Sequence, residues 1–338
     1  MTDKAVRVIA VHKERYELQC EREFFFGKLK TGVYLDGDEA YPTVGDYVDI
    51  IYNGSGDSLI KHTHERKTYF VRLDPDKNRP HEQAIASNFD TVFIMQSLNS
   101  DFNPRRIERY LSLSWQSRAV PVIVLTKADL IDDPLRFVHE LESIAFGVDV
   151  IYVSVRTGVG LERLEKYLEP GMTAVLLGSS GVGKSSLINT LLKEEVMKVR
   201  EIRKDDSRGR HTTTHRQLVM LDNGACIIDT PGMRELGLFN AIEGVEDTFT
   251  DIEALAAGCR FSDCRHNEEP GCAVMRAIKN GELTKERWNS YIKLKREAVY
   301  FEKKTSAIRG KTGKGRAVTG RYERKNGRSV KDGNISET

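Results

Sequence analysis

Residues Gly178-Ser179-Ser180-Gly181-Val182-Gly183-Lys184-Ser185 carry the spacing GxxxxGK[ST], directly after an apolar run, Ala174 to Leu177, of buried-strand type. Such a run makes a phosphate cradle. The glycines let backbone N–H groups turn onto phosphate oxygens, Lys184 serves the β- and γ-phosphates, and the Ser185 hydroxyl serves Mg²⁺. A helix is expected to start at Lys184 and run through Ser186, with Leu187, Ile188, Leu191 and Leu192 on its apolar face. Its positive end adds to the cradle.

Two upstream loops have the composition to read a base. Pro121 to Leu125 is a second buried-type run, and it delivers Thr126-Lys127-Ala128-Asp129, close to the guanine-reading NKxD. Asp129 can accept from the ring N–H and the exocyclic amine of guanine, two donors that adenine does not offer together. Lys127 can lay its alkyl stem along the base. Val148 to Val153 then delivers Ser154-Val155-Arg156-Thr157-Gly158, like the SAK loop whose backbone contacts the guanine carbonyl. Thr126 stands where the pattern has Asn, so the amide that ties the base loop to the phosphate loop is expected to be lost, at a cost in nucleotide affinity.

Downstream of the cradle come Arg208-Gly209-Arg210-His211-Thr212-Thr213-Thr214 and an apolar run ending in Asp229-Thr230-Pro231-Gly232. In the second, Asp229 is expected to hold Mg²⁺ through water, and the Gly232 N–H to sense the γ-phosphate. Thr214 is the expected switch threonine on Mg²⁺, with Thr213 as the alternative. Met233 follows Gly232, and a thioether cannot align an attacking water, so intrinsic turnover should be slow. His211 is the nearest polar candidate for that task, once a partner orders its loop.

A second constellation is Cys259-x₄-Cys264-x-His266-x₅-Cys272. Three thiols and one imidazole meet the count for one tetrahedral zinc, and with all four positions filled by protein the metal should be structural. It is expected to stabilise only the C-terminal module. Cys20 and Cys226 lie in strand-like apolar runs and read as core.

The order of the loops is base, phosphate, switch, whereas ordinary GTPases begin with the phosphate loop. That is a circular permutation, feasible because domain termini often lie close together. With GRHTTT at 209–214, DTPG at 229–232 and the cysteine cluster, the chain resembles the RsgA family of circularly permuted GTPases over nearly its whole length. The resemblance implies hydrolysis of GTP to GDP and phosphate during late maturation of the small ribosomal subunit, with binding to its rRNA and stimulation by the subunit. A rival reading is a nucleotide-gated RNA-binding assembly factor with negligible hydrolysis. A P-loop kinase would need an acceptor site that the sequence does not offer.

The elements around these loops fit that organisation. A chain of 338 residues should fold as two or three domains. Short strand-like runs at Ala5 to Val11, Arg15 to Cys20, Glu23 to Leu29 and Asp46 to Tyr52, with no helix between them, suggest a small barrel. The family implies an OB-fold there, binding nucleic acid through candidates Lys28, Lys30, Lys61, His62, His64, Arg66 and Lys67. Alternation should bury at least one of Phe24-Phe25-Phe26, most of them serving the core.

The polar, proline-punctuated stretch Asp74 to Pro80 reads as a linker. From Asp90 to Thr230, strands and helices alternate, which predicts a mainly parallel sheet with helices on both faces and ligand loops at the strand carboxyl ends. Helices are expected over Ala273 to Lys279 and Lys285 to Lys303. The basic stretch from Lys303 to Lys331 is expected to be disordered when free and to bind RNA phosphates.

The expected fold is therefore multidomain. It comprises an N-terminal OB-type β-barrel (1–72), a central α/β permuted P-loop GTPase (81–240), a mostly α zinc module (241–302) and a basic tail (303–338). The formal net charge is +2, no apolar run reaches membrane-spanning length, and Met1-Thr2-Asp3-Lys4 does not open a signal peptide. A cytoplasmic monomer with no membrane contact is expected, its partners being the small subunit and GTP or GDP.

Overall fold

The computed structural model of the chain describes residues 6–13, 15–34, 40–73, 82–99, 101–194, 216–230, 237–238 and 241–312. Strands β1 (Val6–Val11), β2 (Tyr16–Cys20), β3 (Glu23–Leu29), β4 (Tyr47–Ile51) and β5 (Ser58–Thr63), with a helical turn α1 (Thr31–Tyr34), form the N-terminal barrel. They pair in the order β1-β2-β3-β5-β4, and β4 returns to β1 to close it. Val8, Leu18, Tyr34, Val48 and Ile60 fill its interior.

The barrel departs from expectation at two places. None of Phe24, Phe25 and Phe26 is fully buried: only Phe25 faces the core, half-covered, while Phe24 and Phe26 stand outside at 63% and 40% exposure. Strand alternation sends neighbours to opposite faces, so one inward phenylalanine forces two outward. Arg66 is not on the surface either. Its guanidinium is buried in a two-point pair with Asp46, Nε to Oδ1 at 2.8 Å and Nη2 to Oδ2 at 2.7 Å.

Strands β6 (Tyr69–Leu73) and β7 (Glu82–Ser87) pair antiparallel, so the stretch read as an interdomain linker connects the two arms of one hairpin. Turn-forming residues mark both kinds of connection, and only the pairing of the flanks tells them apart.

The central layer is a sheet of β10 (Asp149–Tyr152), β9 (Val120–Thr126), β8 (Thr91–Ser97), β11 (Thr173–Gly178), β13 (Cys226–Asp229) and β12 (Gln217–Met220), in that order. All neighbours are parallel except β12 and β13. Every residue of β8 and β11 is buried, as expected for strands covered on both faces. Alternation splits them cleanly. Val92, Ile94, Val175 and Leu177 face α2 (Pro104–Ser117) and α3 (Leu135–Glu142), while Phe93, Met95, Ala174 and Leu176 face α4 (Lys184–Leu192).

The barrel joins this sheet at its edge. β1 pairs antiparallel with β12, Ala10 opposite Gln217. Beside the joint, Ser87 Oγ donates to Asp46 Oδ1 at 2.6 Å, and Gly45, at φ +95°, lies so close that a Cβ there would sit 2.0 Å from the Ser87 carbonyl oxygen.

Helices α5 (Ile242–Thr248), α6 (Thr250–Ala257), α7 (Ala273–Asn280) and α8 (Lys285–Thr312) complete the described chain. They have no separate core. Val245, Phe249, Ile252, Val274, Leu294 and Ala298 belong to the same apolar cluster as Ile94, Ile107, Leu111 and Val175. Fully buried Glu108 on α2 accepts from Arg287 Nη1 at 3.1 Å and from the Ser290 hydroxyl, and Arg287 grips Asp251 at two points, each 2.7 Å. A metal in this module would thus act on a core shared with the central domain, not on the module alone. α8 continues through Thr312, so the first ten residues of the expected tail are helical. Lys, Arg and Ala are good helix formers, and the density of cations hid that propensity. Residues 313–338 lie outside the described set. Among the described residues, no helix is long and apolar enough to cross a membrane.

Candidate functional site

The phosphate loop leaves β11 at Gly178 and enters α4 at Lys184. Gly181 and Gly183 take φ of +77° and +108°, a backbone turn that side-chain-bearing residues resist. Lys184 Nζ donates back to the carbonyls of Gly178 at 2.8 Å and Ser179 at 2.9 Å. Ser185 and Ser186 follow in the first turn of the helix. Ser180 is exposed at the loop tip, and Val182 is buried beneath it.

The base loop leaves β9 alongside. Thr126 Oγ1 donates to the Val182 carbonyl at 2.6 Å, and Lys127 Nζ to the Gly181 carbonyl at 2.9 Å. A hydroxyl therefore makes the tie that the missing amide was expected to lose. Ala128 N–H bonds the Val153 carbonyl at 3.1 Å and so joins the two base loops. Ser154 Oγ donates to Asp129 Oδ1 at 2.7 Å and accepts from the Thr157 N–H at 3.2 Å. Asp129 is thus aimed by Ser154, with its other oxygen left for a ligand.

Asp229 ends β13, 2% exposed, and among the described residues its Oδ1 is a buried oxygen with no hydrogen-bond partner. Burial pushes its carboxyl above the ordinary carboxylate value, against Lys184 and the Thr230 N–H, which both pull it down. A buried, unsatisfied carboxylate beside the phosphate lysine suits a hydrated divalent cation. His211, Thr213, Thr214, Gly232 and Met233 lie outside the described residues.

Sequence reasoning missed three contributors. Thr230 Oγ1 donates to the Leu176 carbonyl at 2.9 Å and ties β13 to β11. Asp101 Oδ2 accepts from Ser179 Oγ at 2.8 Å and from Arg106 Nη1 at 2.8 Å. Thr230 and Asp101 occupy connectors and Arg106 the first turn of α2, where composition gives no hint of the partner each meets.

The ligand atoms of Cys259, Cys264, His266 and Cys272 all lie within 4.8 Å of one another. Cys259 Sγ and Cys272 Sγ are 3.9 Å apart, and each is 3.5 Å from His266 Nδ1. A tetrahedral zinc with its usual bond lengths sets sulfur pairs about 3.8 Å apart, so the donor set fits one zinc ion. Burial works to raise the Cys259 thiol, but the N–H groups of Ala273 and Val274 and the Cys264 and Cys272 thiols together outweigh it and hold the pKa low. Cys264, desolvated and bonded by its two neighbouring thiols, is pushed up to about 11. Glu269 accepts from three N–H groups, of Arg265, Asn267 and Glu268, and so ties the loop on which His266 sits, while the His266 ring meets Trp288 edge-on.

Residues 63–239 match a family model described as RsgA GTPase. A curated protein of Listeria monocytogenes serotype 4b, "Small ribosomal subunit biogenesis GTPase RsgA 2", is 48% identical over 89% of this chain and 85% of its own length. One of Methanosarcina acetivorans, "Small ribosomal subunit biogenesis GTPase RsgA", is 46% identical over 78% of this chain and 71% of its own. Among solved structures, YjeQ from Thermotoga maritima superposes with a TM-score of 0.66 at 29% identity, covering 88% of this chain and 98% of that one. YloQ, titled a circularly permuted GTPase, gives 0.59 at 23% identity over 87% and 94%, and supports the permuted fold.

Proposed function

The chain belongs to the RsgA GTPase family, and on that membership we propose that it hydrolyses GTP to GDP and phosphate in the biogenesis of the small ribosomal subunit. The observation that carries the site reading is the clasp of the base loop on the phosphate loop. Thr126 and Lys127 hold Val182 and Gly181, so a base read by Asp129 and phosphates cradled from Gly178 to Ser186 belong to one ligand.

In this reading Asp129 accepts from guanine, the loop N–H groups and Lys184 neutralise the phosphates, and the Gly232 N–H meets the γ-phosphate. Ser185, Thr214 and Asp229 would hold Mg²⁺, which supplies charge neutralisation at the β- and γ-phosphates. Cys259, Cys264, His266 and Cys272 would hold one structural zinc. The barrel (1–72) and the basic residues of the tail supply rRNA contacts. Docking on the subunit brings His211 to the attacking water and speeds hydrolysis, and the protein works as a cytoplasmic monomer.

Two substitutions test this. Asp129→Asn should weaken GTP binding and favour xanthine nucleotide, and Lys184→Ala should abolish hydrolysis. Unchanged GTP affinity in the first, or unchanged turnover in the second, would remove the site as drawn. A GTPase rate that small subunits leave unaltered would remove the activation step alone.

A further inference from the structure

Ser179 is held from two directions. Its carbonyl accepts from Lys184 Nζ at 2.9 Å, while its hydroxyl, on a residue 2% exposed, donates to Asp101 Oδ2 at 2.8 Å. Arg106 Nη1 reaches the same Asp101 oxygen at 2.8 Å and the Ser179 hydroxyl at 3.4 Å. Asp101 is itself fixed. Its carbonyl accepts from Gln96 Nε2 at 2.6 Å, and its N–H donates to Asn99 Oδ1 at 3.0 Å. Arg106 is fixed too, in the first turn of α2, where Asn103 Oδ1 caps the Arg106 N–H at 3.2 Å.

These contacts form a chain from the start of α2, through Asp101, to the second residue of the phosphate loop and on to the lysine. Glycines give this loop its shape and also leave its peptides free to rotate. A peptide whose carbonyl orients an ammonium needs an anchor on its other side, and a charge-assisted bond on a short side chain provides one. We propose that Asp101 and Arg106 are positioning residues for GTP hydrolysis, acting through Ser179 to set the direction of Lys184. This rests on the phosphate-site reading above. Neither residue touches the nucleotide in it.

The test measures single-turnover hydrolysis and nucleotide affinity in the full-length protein for Asp101→Ala, Ser179→Ala, the double variant, Asp101→Asn and Lys184→Ala. Misaiming a catalytic group by a fraction of an ångström to 1 Å costs roughly 10-fold to 100-fold in rate. Asp101→Ala and Ser179→Ala should each lower the single-turnover rate by about tenfold with nucleotide affinity nearly unchanged, at wild-type melting temperature. The double variant should be no slower than the slower single one, because both act through one contact. Asp101→Asn keeps an acceptor for the Ser179 hydroxyl and should recover most of the rate. A wild-type single-turnover rate in Asp101→Ala and Ser179→Ala, with Lys184→Ala inactive, overturns the brace and leaves the phosphate site standing. Multiplying losses in the double variant, or no recovery in Asp101→Asn, overturn it as well. Full activity in Lys184→Ala overturns the site reading and the brace with it.

Discussion

The barrel and the C-terminal helices are both fastened to the central sheet, one by an edge and the other by a shared interior. At the barrel joint, one strand pair, β1 with β12, runs beside the Asp46–Arg66–Ser87 cluster, and the barrel keeps a core of its own. At the other joint the apolar cluster passes without interruption from β8 and α2 into α5 and α8, and a fully buried carboxylate is answered by an arginine from the far side. A body with its own core can loosen without unfolding its neighbour. One that borrows its neighbour's core cannot.

The largest effect should come from Arg287→Ala, which leaves Glu108 buried with one partner fewer and Asp251 without its two-point grip. A loss of about 3 kcal/mol is expected, the low end for a broken buried ion pair, since Glu108 keeps Arg105 and Ser290. Urea unfolding should show the central domain and the C-terminal helices going together. Separate transitions for these two parts would break the comparison.

Chelating the proposed zinc comes next. Because the thiol cluster packs against the shared core, stripping zinc should lower the melting temperature of that joint transition by about 5 °C or more, and leave the barrel signal in place. Loss confined to the C-terminal helices would restore the independent module that the sequence suggests.

Gly45→Ala should cost about 1–3 kcal/mol through its positive φ and its contact with Ser87. The loss should appear as an earlier transition of the barrel, with guanine nucleotide binding retained. A uniform shift of the whole curve would mean that the edge joint is as firm as the shared core.

The smallest effect sharpens the contrast. Asp229 lies on β13, one strand in from the edge joint, and its carboxyl is raised in the folded, nucleotide-free protein. Its protonated form favours folding, so this contribution is complete below the ordinary aspartate range and is lost as pH rises through the raised value. The nucleotide-free protein should therefore gain from this group on acidification toward that range, in the main transition and not in the barrel's, and Asp229→Asn should remove the dependence. An equal pH slope in the variant would assign the effect elsewhere.

The parts legible from sequence are those where local chemistry and chain position coincide. The phosphate loop is announced by an all-apolar strand, three glycines and a helix start, and the thiol cluster lies within fourteen residues. What stayed hidden depends on partners far along the chain. Arg66 resembles any surface cation until Asp46 appears beside it, and Asp101 reads as a loop acid until it meets Ser179, 78 positions on. The hairpin of β6 and β7 escaped because the connection within a hairpin and an interdomain linker share a composition. The extension of α8 escaped because a lysine-rich stretch can be a solvated tail or a helix, and nothing local decides between them.

The pairing of Ala10 with Gln217 bears on how the protein is made. β1 leaves the ribosome some two hundred residues before β12, yet the barrel can close on itself meanwhile through β1 and β4. Until β12 arrives, part of β1 is an open strand edge, the kind of surface on which nascent chains join one another. In the finished molecule the same contact covers the free side of β12, so a segment synthesised long before the central sheet is complete becomes the guard on one of its edges.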